Sequence, residues 1–256
     1  MRMSWNGLPS EVRDVIEAKT GGVVSSAPVS GGAAEIAFVL ATPTGRVFVK
    51  GTRGERAVIE GRVQPFLPAI APRLLWQATV ESWVIHAFEH VDGRHASLAP
   101  DSLDLRRVAG AVHQISLVQC PDLPVLPVEK RWARFAAPES LDLLGGDRLV
   151  HTDLTAENFL VADDHVSVVD WGWPSVGAPW LDTVTMIVRL VQAGHEPDQA
   201  EAWAATVPGW RGAPRAGVLA YTKVRSAVAE RNAAGVGDAW ARYRTWLLNQ
   251  SSPTVQ

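Results

Sequence analysis

Three oxygen-bearing side chains in the middle of the chain have the types and the spacing that phosphoryl transfer requires. Asp153 and Asn158 lie in the run HTDLTAENFL at 151–160, and Asp170 lies in VVDWG at 168–172. A carboxylate can orient an attacking hydroxyl and accept its proton, while an amide oxygen and a second carboxylate can hold Mg²⁺. The pattern predicts Asp153, Asn158 and Asp170 as catalytic residues, with Asn158 and Asp170 as the metal ligands.

The residues between Asn158 and Asp170 predict a β-hairpin. Two apolar runs, 159–161 and 166–169, are separated by a short polar break, so Asn158 and Asp170 would meet at one end of paired strands. Each candidate also has an ordinary interpretation, as a helix cap, a turn amide or a turn carboxylate. The apolar residues on both sides of 151–158 favour a functional site instead, because they would bury the polar groups between them, and buried polar groups need partners. We interpret His151 as a structural histidine that is hydrogen-bonded to the backbone.

A lysine in the first part of the chain is the candidate for binding nucleotide phosphates. Lys50 ends the strand-like run 47–50, where the ordinary interpretation is a solvated surface residue. An ammonium there could instead contact phosphate oxygens, held in place by a carboxylate of the next helix. Glu60 is preferred over Glu55 as this partner, because apolar residues three and seven positions later place it beside the core.

Two backbone segments are candidates for contacting the rest of the nucleotide. Ser30, Gly31 and Gly32 could let N–H groups approach a phosphate, although adjacent glycines commonly form only a hairpin turn. The backbone from Glu89 to Val91 could pair with the adenine base, the alternative being an ordinary strand end.

The composition predicts a folded cytoplasmic protein. The chain has 256 residues, of which 47% are hydrophobic and 20% charged, and its net charge is −3. These values exclude a disordered chain and give no reason to expect nucleic acid as a partner. The one cysteine, Cys120, allows no disulfide within the chain, and no segment is long and apolar enough for a signal peptide or a membrane span. We therefore expect no membrane partner, and no feature predicts an oligomeric state.

The hydrophobic periodicity predicts an α+β chain whose first part is β-rich and whose second part is helical. The boundary is expected within 88–93. Ser10 is the predicted N-cap of the first helix. Strands are predicted at 23–24, 36–40, 47–50, 74–76 and 82–88, and helices at 9–18, 54–68, 102–118, 182–191, 216–230 and 239–248, with a proline-rich loop at 121–128.

The ordered set of Lys50, a helix glutamate, HTDLTAENFL and DWG resembles the aminoglycoside phosphotransferase family of the protein-kinase-like superfamily. The run from His151 to Asn158 is similar to the family's His-Gly-Asp-x-x-x-x-Asn motif, and the run DWG at Asp170 is similar to its metal-binding motif. The segment GAPWLD resembles the family's Gly-Asp-Pro-x-x-Asp stretch, in which Asp182 would be structural and open a helix.

This resemblance implies a two-lobed protein-kinase-like fold. Residues 1–90 would form a nucleotide-binding N-lobe, β-rich with one helix, and residues 91–256 a mainly helical C-lobe for catalysis and substrate binding. It implies Mg²⁺ and ATP, with GTP as an alternative, and a Lys50–Glu60 pair on the α- and β-phosphates. Two positions depart from the family pattern, because Thr152 replaces a small or basic residue and Ala178 stands where Asp is frequent.

The acceptor is predicted to be a hydroxyl of a small molecule such as an antibiotic, a sugar or another natural product. A polycationic aminoglycoside would need an acidic pocket, yet residues 171–256 hold six acidic and eight basic residues. Most of the seven tryptophans there are expected in the core, with one or two as an aromatic wall for the acceptor. The alternatives are a kinase acting on peptide Ser/Thr or on a protein-bound sugar, and a non-catalytic nucleotide-binding scaffold.

Overall fold

The computed structural model describes residues 2–30, 32, 34–54, 57–163, 165–232 and 235–250. The chain divides into two compact units, Met1–Asp92 and Gly93–Gln256, which we call the N-terminal unit and the C-terminal unit. The first is built on an antiparallel sheet and the second is mainly helical, so the predicted α+β class is confirmed.

One five-stranded sheet organises the N-terminal unit. Its strand order is β1-β2-β3-β5-β4, and every neighbouring pair is antiparallel. The elements in chain order are α1 (Ser10–Thr20), β1 (Ser25–Pro28), β2 (Ile36–Thr42), β3 (Gly45–Arg53), α2 (Val58–Val63), β4 (Leu74–Val80) and β5 (Trp83–Glu89).

The two faces of this sheet differ in polarity. Side chains alternate along β2 and β5, so Ile36, Phe38, Ile85 and their neighbours on one face pack with the apolar side of α1. The opposite face carries Lys50, which follows the core residue Val49 on β3. The alternation that builds the core thus also directs Lys50 away from it.

Several predicted boundaries in the N-terminal unit were wrong in detail. The helix expected over 54–68 is α2 followed by a 3₁₀ turn at Gln64–Phe66, because Pro65 lacks the N–H that an α-helix needs. Ser10 is the first helical residue of α1 rather than its N-cap, and its hydroxyl bonds Glu11. The first strand is Ser25–Pro28 instead of 23–24.

The C-terminal unit consists of helices with two small sheets. Its strands are β6 (Arg94–His95), β7 (Leu126–Pro127), β8 (Arg148–Val150), β9 (Phe159–Val161), β10 (Val166–Val168) and β11 (Ser175–Gly177). Its helices are α3 (Asp104–Ser116), α4 (Val128–Arg131), α5 (Pro138–Leu141), α6 (Leu181–Gln192), α7 (Pro197–Ala204), α8 (Arg215–Arg231) and α9 (Gly237–Asn249). The sheets have the orders β10-β9-β6 and β7-β11-β8.

The hairpin expected between Asn158 and Asp170 is present as β9 and β10. Val168 lies opposite Phe159, and Val166 lies opposite Val161. The predicted helices near 102–118, 182–191, 216–230 and 239–248 are also present, with bounds that differ by one or two residues. Helix α7 was not predicted, and the proline-rich segment 121–128 contains β7 and the first residue of α4 instead of loop alone.

Within the described residues, no helix combines the length and the apolar character that crossing a bilayer requires.

Candidate active site

Lys50 and Glu60 form a buried ion pair in the N-terminal unit. The Lys50 Nζ lies 2.8 Å from Glu60 Oε2, and the two side chains are only 10% and 7% exposed. The predicted pairing is therefore present, whereas Glu55, the alternative partner, lies outside the described residues. A buried ammonium is stable only beside a compensating charge, so Glu60 fixes both the charge and the position of Lys50.

A row of polar side chains and a glycine bring the helix of Glu60 close to the sheet. Lys50 pairs in register with His86, which lies opposite Gln77 and forms a 3.0 Å hydrogen bond with it. A Cβ atom at Gly61 would lie 2.1 Å from the Gln77 side-chain oxygen, so a larger residue here would require the Gln77 side chain to move. Burial lowers the pKa of His86 to about 4, with the charge of Lys50 as a second cause.

The remaining nucleotide candidates lie in loops and at a strand end of the same unit. Ser30 and Gly32 lie in the connection from β1 to β2, and Gly31 lies outside the described residues. The Glu89 N–H donates to the carbonyl of Arg73 at 2.9 Å, so it is already engaged within the sheet. Within the described part of the chain the N–H groups of His90 and Val91 donate no hydrogen bond, so Val91 stays a candidate donor together with its neighbour.

In the C-terminal unit, hydrogen bonds join Asp153 to Asn158 and Asn158 to the residue before Asp170. The Val169 N–H donates to the carbonyl of Asn158 at 2.9 Å, which extends the hairpin and leaves Asp170 one residue beyond the position opposite Asn158. The Asn158 Nδ2 donates to the carbonyl of Asp153 at 2.8 Å. The amide oxygen of Asn158 is thereby left as its ligand atom, and the backbones of Asp153, Asn158 and Asp170 are linked within a few residues.

His151 ties the two loops of the site together. It is 1% exposed, and its Nε2 lies 3.0 Å from the carbonyl of Val169. Its ring packs on Trp171 with the centroids 4.7 Å apart, and the Trp171 indole N–H donates to Val168. The predicted hydrogen bond of His151 to the backbone is confirmed, and its structural role stays a prediction.

Thr152 and Asp170 both adopt left-handed backbone conformations, with φ of 67° and 64°. This region is unfavourable for residues with a Cβ, and most of all for β-branched ones, at a cost of about 1–3 kcal/mol each. All three polar groups of Thr152 are engaged: its N–H donates to Asp182 at 2.9 Å, its hydroxyl to Trp173 O at 2.8 Å, and its carbonyl accepts from Arg225 at 2.7 Å. These three bonds hold Thr152 in its left-handed backbone conformation.

Asp182 anchors the loop from the first turn of α6. Its two carboxylate oxygens accept the N–H groups of His151 and Thr152 at 2.7 and 2.9 Å, and its side chain is almost fully buried. Burial raises the pKa of Asp182, while its interactions with His151, Thr152 and Arg225 oppose that shift. The helix starts at Leu181, close to the predicted position, and the anchoring of the loop is an additional role.

Three arginines near the loops were missed from sequence. Arg189 donates to the carbonyl of Leu154 at 3.3 Å, and Arg225 donates to Thr152. Trp173 is 50% exposed, and Arg131 lies 5.6 Å from its ring centroid. A signal existed for Arg225, because it is a charged residue within the apolar stripe of a predicted helix.

The donor set of the C-terminal unit suits Mg²⁺ better than a softer metal. Among the described residues there is no group of three or more His, Cys, Asp or Glu side chains that could hold a metal ion. One amide oxygen and one carboxylate, completed by waters and phosphate oxygens, are what Mg²⁺ accepts, whereas Zn²⁺ sites use His and Cys. Asn158 and Asp170 fit this requirement.

Comparison with known proteins gave matches among solved structures alone. No family model and no curated protein sequence matches the chain. The aminoglycoside phosphotransferase APH(4)-Ia matches 95% of this chain and 99% of its own, with a TM-score of 0.65 and 16% identity. Choline kinase LicA from Streptococcus pneumoniae matches 94% of this chain and 100% of its own, with a TM-score of 0.63 and 14% identity.

A third structure has the same fold with a nucleotide analogue bound. The amicoumacin kinase hAmiN, in complex with AMP-PNP, Ca²⁺ and Ami, matches 95% of this chain and 94% of its own, with a TM-score of 0.62 and 9% identity. The identities are low, but each match extends over nearly the whole length of both chains. The chain therefore has the protein-kinase-like fold that these aminoglycoside, choline and amicoumacin kinases share.

Proposed function

We propose that this chain is a member of the aminoglycoside phosphotransferase family and transfers the terminal phosphoryl group of ATP, with Mg²⁺, to a hydroxyl of a small molecule. The observation that carries the proposal is the hydrogen-bonded linkage of Asp153 to Asn158 and of Asn158 to Val169, the residue before Asp170, on two adjoining loops. The Lys50–Glu60 pair supports it independently, because a strand lysine held by a helix glutamate is the arrangement that protein kinases need for phosphoryl transfer. The fold supports it as well.

In the proposed reaction Asp153 is the residue that acts on the acceptor. Its exposed carboxylate accepts the hydrogen bond of the acceptor hydroxyl and takes up the proton as the new oxygen–phosphorus bond forms. The bond between the γ-phosphorus and the bridging oxygen breaks, and ADP leaves with that electron pair. Asn158 and Asp170 hold Mg²⁺, which when bound neutralises charge on the phosphate oxygens. Lys50 contacts the α- and β-phosphates, and Ser30, Gly32, Glu89 and Val91 remain candidates for the rest of the nucleotide.

We propose a neutral or anionic acceptor with an apolar face in preference to a polycation. Trp173 is half exposed, and its carbonyl is bonded by Thr152, the residue before Asp153. The Arg131 guanidinium lies against the Trp173 ring and is fixed by the hydroxyl of Ser175 at 2.5 Å. A cation already placed on this ring weakens its attraction for a second cation, whereas the apolar edges of a sugar or another ring can still pack on it.

The test of the reaction is a screen for ATP-dependent mass gain. Hydroxyl-bearing metabolites and antibiotics are incubated with Mg²⁺, ATP and the full chain, and products heavier by one phosphate are detected by mass spectrometry. Asp153→Asn should lower turnover by about 10³-fold, because the carboxylate that accepts the proton is lost. Asp163→Asn, at an exposed carboxylate of the hairpin turn, is the matched control and should keep wild-type turnover. Equal turnover of the Asp153 variant would contradict the proposal.

The acceptor class is tested with the acceptor that the screen identifies. Trp173→Ala should raise the KM for that acceptor about tenfold, while Trp173→Phe should raise it less, and the KM for ATP should stay unchanged in both. Turnover of aminoglycosides that exceeds turnover of neutral glycosides would contradict the acceptor class and leave the kinase proposal intact.

A further inference from the structure

Arg225 on α8 reaches the backbone of the loop that carries Asp153. Its Nη1 donates to the carbonyl of Thr152 at 2.7 Å and lies 3.3 Å from the Tyr221 hydroxyl. Its guanidinium lies 5.4–5.8 Å from the ring centroids of Trp132, Tyr221 and Trp240. The contact with the loop thus comes from a guanidinium that three aromatic rings surround.

This is a demanding environment for an arginine. Its Nε is buried and has no hydrogen-bond partner within the described part of the chain, although buried N–H groups are normally paired. Arg189 is a second cation nearby: burial lowers the pKa of Arg189, and the charge of Arg225 lowers it further. A leucine or methionine would fill the same space among the rings without these penalties, so packing alone does not account for an arginine here.

The bond to Thr152 controls the direction of the next side chain. The carbonyl of Thr152 and the nitrogen of Asp153 belong to one rigid peptide plane, so fixing that carbonyl fixes the plane from which Asp153 emerges. The preceding peptide plane is fixed by Asp182, which accepts the Thr152 N–H at 2.9 Å. Arg225 and Asp182 therefore hold the two peptides on either side of Thr152, whose φ is 67°.

We propose that Arg225 is a positioning residue for the phosphoryl transfer and aims the Asp153 carboxylate by holding the Thr152–Asp153 peptide. The inference rests on the proposed function, because Asp153 is taken as the residue that meets the acceptor hydroxyl. A planar guanidinium can stack on aromatic rings and donate to a carbonyl at once, which the compact ammonium of a lysine cannot do.

The test compares Arg225→Met and Arg225→Lys with Lys223→Ala in the full chain. Met keeps the apolar bulk among the rings, Lys keeps the charge, and Lys223 is an exposed control on the same helix. Arg225→Met should lower kcat about 100-fold with the KM for ATP within about threefold of wild type, since small misplacement of a catalytic group costs that much. Arg225→Lys should recover part of kcat, and the Lys223 variant should match wild type.

A second readout separates positioning from general stability. Hydrogen–deuterium exchange of peptides covering 150–156 should become about tenfold faster in Arg225→Met, while exchange in α6 and α9 stays at the wild-type rate. Unchanged exchange in 150–156 together with a kcat within twofold of wild type would overturn the proposal. Exchange that rises equally throughout the unit would also overturn it, because Arg225 would then be a packing residue. Faster exchange at 150–156 in a chain that never transfers phosphate would reject the kinase assignment while the backbone contact stands.

Discussion

Lys50 in the N-terminal unit and Asp153 in the C-terminal unit are both candidate catalytic residues, but different kinds of structure hold them. Lys50 sits in a regular strand, opposite His86, and is fixed by one carboxylate from an adjacent helix. Asp153 follows a residue with a positive φ in an irregular loop. That loop donates a hydrogen bond to Asp182 and accepts one from Arg225, and both residues are far away in sequence.

Lys50 is therefore directed by the regular geometry of its strand, whereas Asp153 is directed by contacts from residues that are distant in sequence. A regular strand keeps its direction when a neighbour changes, so loss of Glu60 should affect mainly the charge of Lys50. A strained loop keeps its conformation only while its surroundings enforce it, so changes at several distant residues should each disturb Asp153. The predictions below test this contrast.

The largest loss of stability is expected from breaking the Lys50–Glu60 pair on one side. Lys50→Met leaves the Glu60 carboxylate buried without its ammonium and should lower the free energy of unfolding by about 4 kcal/mol. The double variant Lys50→Met/Glu60→Leu should regain most of that loss, because no uncompensated charge remains. Chemical denaturation of the full chain measures both. A double variant as unstable as the single one would show that the pair is part of a wider network.

Asp182→Asn should disturb the loop from a distance. The amide offers one acceptor oxygen where two N–H groups, those of His151 and Thr152, need partners, so the free energy of unfolding should fall by about 3 kcal/mol. Hydrogen–deuterium exchange should rise first in 150–156. A stability within about 0.5 kcal/mol of wild type would contradict the role of Asp182 as the anchor.

His86 should make the stability of the N-terminal unit depend on pH. Its pKa is about 4 in the fold and 6.5 when unfolded, so the unfolded chain binds more protons between these values. The contribution of His86 to the free energy of unfolding is therefore fully present above pH 6.5. It falls by about 3 kcal/mol as the pH approaches 4. Denaturation at pH 7 and pH 4.5 should show a smaller difference in His86→Gln than in wild type. An identical difference in the two proteins would assign the pH dependence to other groups.

The smallest expected effects concern the strain at Thr152. Thr152→Ser keeps the hydroxyl that bonds Trp173 and removes the β-branch, so it should raise the free energy of unfolding by less than about 1 kcal/mol. Thr152→Val keeps the shape and loses the hydroxyl, so it should lower the free energy by about 1 kcal/mol. Melting temperatures of the two variants measure the contrast, and shifts in the same direction would contradict it.

The features predicted best from the sequence are those that follow from local patterns of apolar residues. Two apolar runs separated by a polar break located the hairpin β9–β10, which places Val169, the residue before Asp170, opposite Asn158. Helical spacing selected Glu60 as the residue that pairs with Lys50. In each case a local pattern sets the direction of the side chain, so no distant contact had to be known.

The sequence did not predict what depends on distant partners. Thr152 is bonded to residues that lie 21, 30 and 73 positions away, and no local pattern announces such contacts. Helix α7 was missed because it has only eight residues and its buried face is formed mostly by small side chains, Pro197, Ala200 and Ala204. Its start is marked by a capping box between Glu196 and Gln199 with Pro197 in the first turn, in place of the usual Ser or Thr cap.

The central claim is that Asp170 helps to hold Mg²⁺ with the nucleotide while Asp153 serves the acceptor. Calorimetric titration of ATP, with and without Mg²⁺, into wild type, Asp153→Asn and Asp170→Asn tests it most directly. The account predicts Mg²⁺-dependent binding of equal affinity in wild type and the Asp153 variant, and binding weaker by about tenfold or more in the Asp170 variant. Equal affinity in all three proteins, or binding that does not depend on Mg²⁺, would contradict it.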